Sequence, residues 1–164
     1  MKFELPTWNQ LPNVDLYMDQ VLTYLNDELG QLYFHNEKFV TSSMINNYVK
    51  IGIVKRPEKK HYTKEHLAYF IAVTILKKSF SMQEIAEMIN IQISMENSSI
   101  EKAYDLFIFR FTESLNAIME NKQMPVYKNK NDKQSLFDKV VKTVVYKIDI
   151  ESKLKSTSIK LKQT

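Results

Sequence analysis

The chain has no cysteine, only two glycines and only four prolines in 164 residues. Without cysteine there can be no disulfide, no zinc–thiolate centre and no thiol redox chemistry. Gly30 and Gly52 stand apart and in no repeat, so the sequence encodes no glycine-rich loop for cradling phosphate. No apolar run reaches the roughly 18–20 residues that span a bilayer. The opening MKFELPTWNQLPNVDLYMDQ has no apolar signal core. A cytoplasmic protein without a membrane partner is expected. His35, His61 and His66 are the three histidines, and the last two flank a helix cap, a poor geometry for sharing an ion. The acid pairs Asp15/Asp19 and Glu84/Glu87 fall at exposed or capping positions of helices. No metal, no cofactor and no catalytic residue is therefore assigned, and an enzyme is not expected.

Hydrophobic residues make up 44% of the chain and charged residues 26%, enough for a packed core in a single domain or a domain with a helical extension. The net charge of +4 conceals a segregation. Residues 1–49 carry two Lys and six acids, whereas residues 50–64 carry six Lys or Arg and one Glu. Residues 65–127 carry five basic and eight acidic groups, and residues 128–164 carry ten Lys and four acids. Clustered positive charge of this kind is the electrostatic footprint of a polyanion partner, although a solvated surface has the same composition.

The scarcity of glycine beside abundant Lys, Glu, Leu, Ile and Met predicts a mainly α fold. Apolar spacing and caps predict a helix over about 15–29, ending at Gly30 and burying Leu16, Val21, Leu25 and Leu29. A loop at 30–40 leads to a short helix through about Lys50, capped by Thr41 or Ser42 and stopped at Gly52. Residues 53–62, broken by Pro57, suit two short extended pieces around a basic turn. Thr63 caps a helix over about 64–78 that is apolar on nearly every face, and so central. Ser81-Met82-Gln83-Glu84 is a capping box that opens the next helix. Helices over about 98–121 and 132–150 follow, the second rich enough in β-branched residues that a strand competes. The tail from residue 151 is expected to fray.

The short helix over 42–50 carries the clearest pattern. At about 100° per residue, Ser42, Ser43, Asn46, Asn47 and Lys50 fall within one arc of about 140°, and Met44, Ile45, Tyr48 and Val49 fall opposite. The polar arc holds hydroxyls, carboxamides and an ammonium, and no acid. These groups can bond to base edges and phosphates: Asn to adenine, Lys to guanine or phosphate, Ser to either. A merely solvated outer face is the alternative. Lys55, Arg56, Lys59 and Lys60 follow in a turn without glycine, then Tyr62.

This order resembles the winged helix-turn-helix of the MerR type. Tyr48-Val49-Lys50-Ile51-Gly52-Ile53-Val54 looks like the exit of its recognition helix, and Lys60-His61-Tyr62 like the end of its basic wing. Ser79-Phe80-Ser81-Met82-Gln83-Glu84-Ile85 looks like its Gly-Phe-Ser-x-x-Glu-Ile motif, with Ser79 in place of the glycine. The segments LPTWNQLPNVDLYMDQV, MINNYVK and KKHYTKEHLAYFIAVTILKKSFSMQEIAEMI resemble, more closely, a bacterial family catalogued as domain of unknown function 1836, over about residues 4–120. That resemblance implies a shared fold and a bacterial cytosolic setting, and no reaction.

The expected organisation is an N-terminal segment with a packing helix (1–40), a winged helix-turn-helix-like DNA-binding domain (41–96) and a helical C-terminal extension with a basic tail (97–164). The expected contacts to double-stranded DNA come from Ser42, Ser43, Asn46, Asn47, Lys50, Lys55, Arg56, Lys59, Lys60 and Tyr62, in a transcriptional regulator. A non-catalytic protein-interaction module is the alternative. The aromatic stripe Tyr104, Phe107, Phe109 and Phe111 suits either core packing or a homodimer surface. In MerR proteins a helix after the DNA-binding domain dimerises, so the expectation is a homodimer through these residues. A chain cut after about residue 96 would then remain a folded monomer.

Overall fold

The computed structural model describes residues 2–32, 40–94 and 99–162. The middle of the loop expected at 30–40, with His35, lies outside the described residues, as does Ser98. The described residues form six α-helices: α1 (Met18–Leu29), α2 (Ser42–Lys50), α3 (Lys64–Leu76), α4 (Met82–Ile93), α5 (Ile100–Met119) and α6 (Asp132–Lys162). Among the described residues there is no strand, only the isolated antiparallel pairings Leu16–Tyr62 and Glu58–His61. The fold is mainly α. The two extended pieces expected at 53–62 shrink to these pairings, and the competing strand in 136–148 is helix.

One hydrophobic core runs through all three expected segments, from Phe3 and Leu5 to Val145 and Ile148. At its centre lies α3, with Leu67, Phe70, Ile71, Val73 and Ile75 all buried, as its all-round apolarity predicts. α3 touches α1 and α5, and α5 with α6 forms the principal helix pair. The extended N-terminal segment is stitched onto α5 by polar bonds. The Asn116 side chain accepts from the Phe3 N–H at 2.7 Å and donates to the Phe3 carbonyl at 2.9 Å. The Tyr104 hydroxyl donates to the Pro6 carbonyl, and Asp105 accepts from the Trp8 N–H.

Three boundaries differ from expectation, each for a local reason. α1 starts at Met18 rather than near Asp15, because the Leu16 backbone is extended and exchanges two hydrogen bonds with Tyr62. Gly30 does not adopt the left-handed cap conformation; its φ is −54° and the chain continues as a 3₁₀ turn through Leu32. The tail, expected to fray, remains helical to Lys162. Propagation is inexpensive once a packed helix has nucleated. The Lys153–Asp149 ion pair and hydroxyl bonds from Ser156 and Thr157 to carbonyls four residues back continue along it.

Candidate nucleic-acid interface

α2 takes the bounds its pattern predicts. Thr41 is the N-cap, its hydroxyl accepting from the Met44 N–H. Ile45 and Tyr48 are fully buried, and Met44 and Val49 half-buried. Ser42, Ser43, Asn46, Asn47 and Lys50 are all exposed. The helix is held by its apolar side: the Lys77 ammonium sits 5.7 Å from the centre of the Tyr48 ring, against the end of α3. After Lys50, Gly52 at φ +81° reverses the chain, and the Tyr48 carbonyl accepts from Ile53 and Val54. Few residues but glycine adopt that conformation without strain, so Gly52 fixes the exit from the polar-faced helix.

The basic turn is tight. His61 N–H donates to the Glu58 carbonyl at 2.8 Å, closing a four-residue turn around Lys59 (φ 48°) and Lys60 (φ 65°). Two successive left-handed residues make the type I′ geometry that hairpins favour, usually with Asn-Gly. Here two lysines adopt it at a cost of roughly 1–2 kcal/mol each. Both side chains are exposed, as are Lys55 and Arg56. Strain of this sort gathers at functional sites. Lys55 is also ion-paired with Glu65 at 3.0 Å.

Tyr62 does not belong to this surface. It is 5% exposed, and its ring packs on His66 and Phe70 at 5.5 and 5.7 Å. Its backbone pairing with Leu16 pulls it inward, so its expected DNA contact is corrected to a core role. The aromatic stripe of α5 is corrected likewise. Tyr104, Phe107 and Phe111 are buried within this chain, Phe111 lying 6.1 Å from Phe3 and 5.9 Å from Phe107. Only Phe109 is exposed, at 57%, beside Leu106 at 39%.

A role that the sequence alone does not announce belongs to His66. His66 stands three residues after the Thr63 cap, where a capping box ordinarily carries Glu or Gln. Its Nδ1 accepts from the Thr63 N–H at 2.9 Å, so the proton resides on Nε2, which donates to the Lys55 carbonyl at 3.2 Å. One imidazole thus caps α3 and holds the base of the basic turn. The Thr-x-x-His spacing was the available signal. Burial, then the Lys55 charge, lowers the His66 pKa below the ordinary imidazole value.

The sign of the linkage follows. Between the lowered folded pKa and the unfolded value of about 6.5, the unfolded chain binds more protons. This contribution to stability is therefore complete above about pH 6.5 and is lost as pH falls through the folded pKa. Gln in place of His66 keeps an acceptor at the cap without titrating. His66→Gln is expected to flatten the decline in unfolding free energy between about pH 7.5 and 5, measured by urea titration. An unchanged pH profile would contradict the assignment.

Among the described residues no helix is long and apolar enough to cross a membrane. No curated protein and no solved structure matches the chain significantly. A family match covers residues 6–107, from the N-terminal segment through α1–α4 into α5, and so includes α2, Gly52, the basic turn and the His66 cap. The chain belongs to that family, Domain of unknown function (DUF1836).

Proposed function

We propose that the protein is a cytoplasmic, non-catalytic DNA-binding regulator of MerR-like winged helix-turn-helix type. α2 serves as the recognition helix and the turn over residues 55–60 as a short basic wing. The observation that carries this reading is the α2 face: Ser42, Ser43, Asn46, Asn47 and Lys50 exposed together with no acid among them. Asn46 and Asn47 supply the donor–acceptor pairs that read adenine, while Lys50, Lys55, Arg56, Lys59 and Lys60 neutralise phosphates. A nine-residue helix reaches only a few base pairs, so two half-sites and a homodimer complete the scheme. With three of its aromatics in the core, α5 offers Phe109 and Leu106 for that contact.

The second reading is a protein-interaction module with the same fold. It is favoured by the burial of Tyr62 and by the Lys55–Glu65 pair, which remove one group from the basic surface and partly neutralise another. Binding to mixed duplex DNA across a salt series separates the two. For the regulator, log K falls linearly with log salt, by about 0.9 for each phosphate neutralised. Negligible binding at every salt concentration would leave the interaction module.

A further inference from the structure

Between α3, α4, α5 and the start of α6 lies a cavity of about 270 Å³ that plays no part in the proposed DNA surface. Ala72 and Leu76 of α3, Met88 of α4 and Ala103 and Phe107 of α5 are among its walls. Its polar side chains are neutral, with Gln92 contributed by α4, and no charged residue lines it. α4 is a thinly packed wall: Ile85 alone is fully buried in that helix, while Met88 and Ile89 are half-buried over the space.

Size and chemistry narrow the occupant. A dry apolar cavity of about 150 Å³ accepts one benzene ring, so this one suits about two rings. A charged ligand would lose its hydration here without gaining a counter-ion. An apolar molecule with one neutral hydrogen-bonding group loses little and covers Met88 and Ile89, which the chain leaves half-buried.

We propose that the cavity between α3, α4 and α5 is a binding site for a small, neutral, two-ring aromatic molecule. The site stands independently of DNA binding. Its occupant ties α4 to the central helix.

The probe is 1-naphthylamine, two fused rings with one amine that is neutral at pH 7, added to the full chain and followed by its fluorescence. Saturation at one molecule per chain is expected, with a raised thermal midpoint and nuclear Overhauser contacts from the probe rings to the Ala72 and Ala103 methyls. Ala103→Leu and Ala72→Leu, which grow into the space from two different helices, should each weaken binding about tenfold or more. Tyr146→Ser, on the outer face of α6 and outside the lining, should leave it unchanged. Failure to saturate, or probe contacts to Leu106 and Phe109 instead, would overturn the proposal. So would a folded Ala103→Leu protein that binds as the parent does. The contacts in the unsubstituted chain decide the matter if either filled variant fails to fold.

Discussion

Residues 2–98 alone are expected to show no cooperative unfolding transition. That fragment keeps α1–α4 but loses the helix on which its own N-terminal segment is built. Removing α5 takes away Tyr104, Phe107, Ile108, Phe111 and Leu115 from the single core, and with α6 go Val141, Val144, Val145 and Ile148. Phe111→Ala by itself costs about 3–5 kcal/mol, against a total stability of about 5–15 kcal/mol for an ordinary domain. The Phe3 N–H and carbonyl would exchange their bonds to Asn116 for water, at a net loss of about 0.5–1.5 kcal/mol for each bond. Far-UV circular dichroism on heating is the measurement. A sigmoidal melt of the fragment would show that a smaller core suffices. The sequence suggested such a core, because a stripe of aromatics on α5 looks the same whether it faces its own chain or another.

The second large effect concerns the basic turn. Replacing Lys55, Arg56, Lys59 and Lys60 together by Ala is expected to flatten the dependence of log K on log salt by about 3.6, at about 0.9 for each of the four phosphates they meet. Four such contacts correspond to a loss of roughly 10²-fold in affinity between 50 and 200 mM salt, and this share of the salt sensitivity disappears in the variant. Because phosphate contacts carry no sequence information, affinity should fall about equally on all duplexes. The fold should survive: the four side chains are exposed, and the Lys55–Glu65 pair is at the surface, where such pairs contribute about 0–1 kcal/mol. Fluorescence anisotropy on random duplexes at several salt concentrations gives the slope. An unchanged slope would make the turn ordinary solvated surface.

Local signals in the sequence suffice where a helix decides its own fate. α2 follows from its cap, its two-sided face and Gly52; α3 from its apolarity; α4 from Ser81 and Glu84, whose reciprocal bonds are present at 3.2 and 2.7 Å. What escaped the sequence depends on partners far along the chain. Leu16 has the spacing of a helical residue but pairs with Tyr62, and no periodicity reports such a bridge. Tyr62 follows a run of charges and looks exposed, yet that same bridge seats it on Phe70. Asn116, polar and within a helix, gave no sign that it would serve as the hydrogen-bonding edge for Phe3. The exposed arc of α2 was legible because it needs only helical geometry. The cavity was not, since it arises from how four helices fail to close together.

The bond between Phe3 and Asn116 also sets a timetable for biosynthesis. The two residues are separated by 113 positions. At ribosomal rates of about 5–20 residues per second, Phe3 waits roughly 6–23 s before its partner has even been polymerised. During that interval Phe3, Leu5 and Leu11 form an extended apolar stretch with no helix to lie on, the kind of nascent surface that holding chaperones bind. α1–α4 can assemble their local caps on the ribosome, but the segment around Phe3 must be among the last pieces to take its native place.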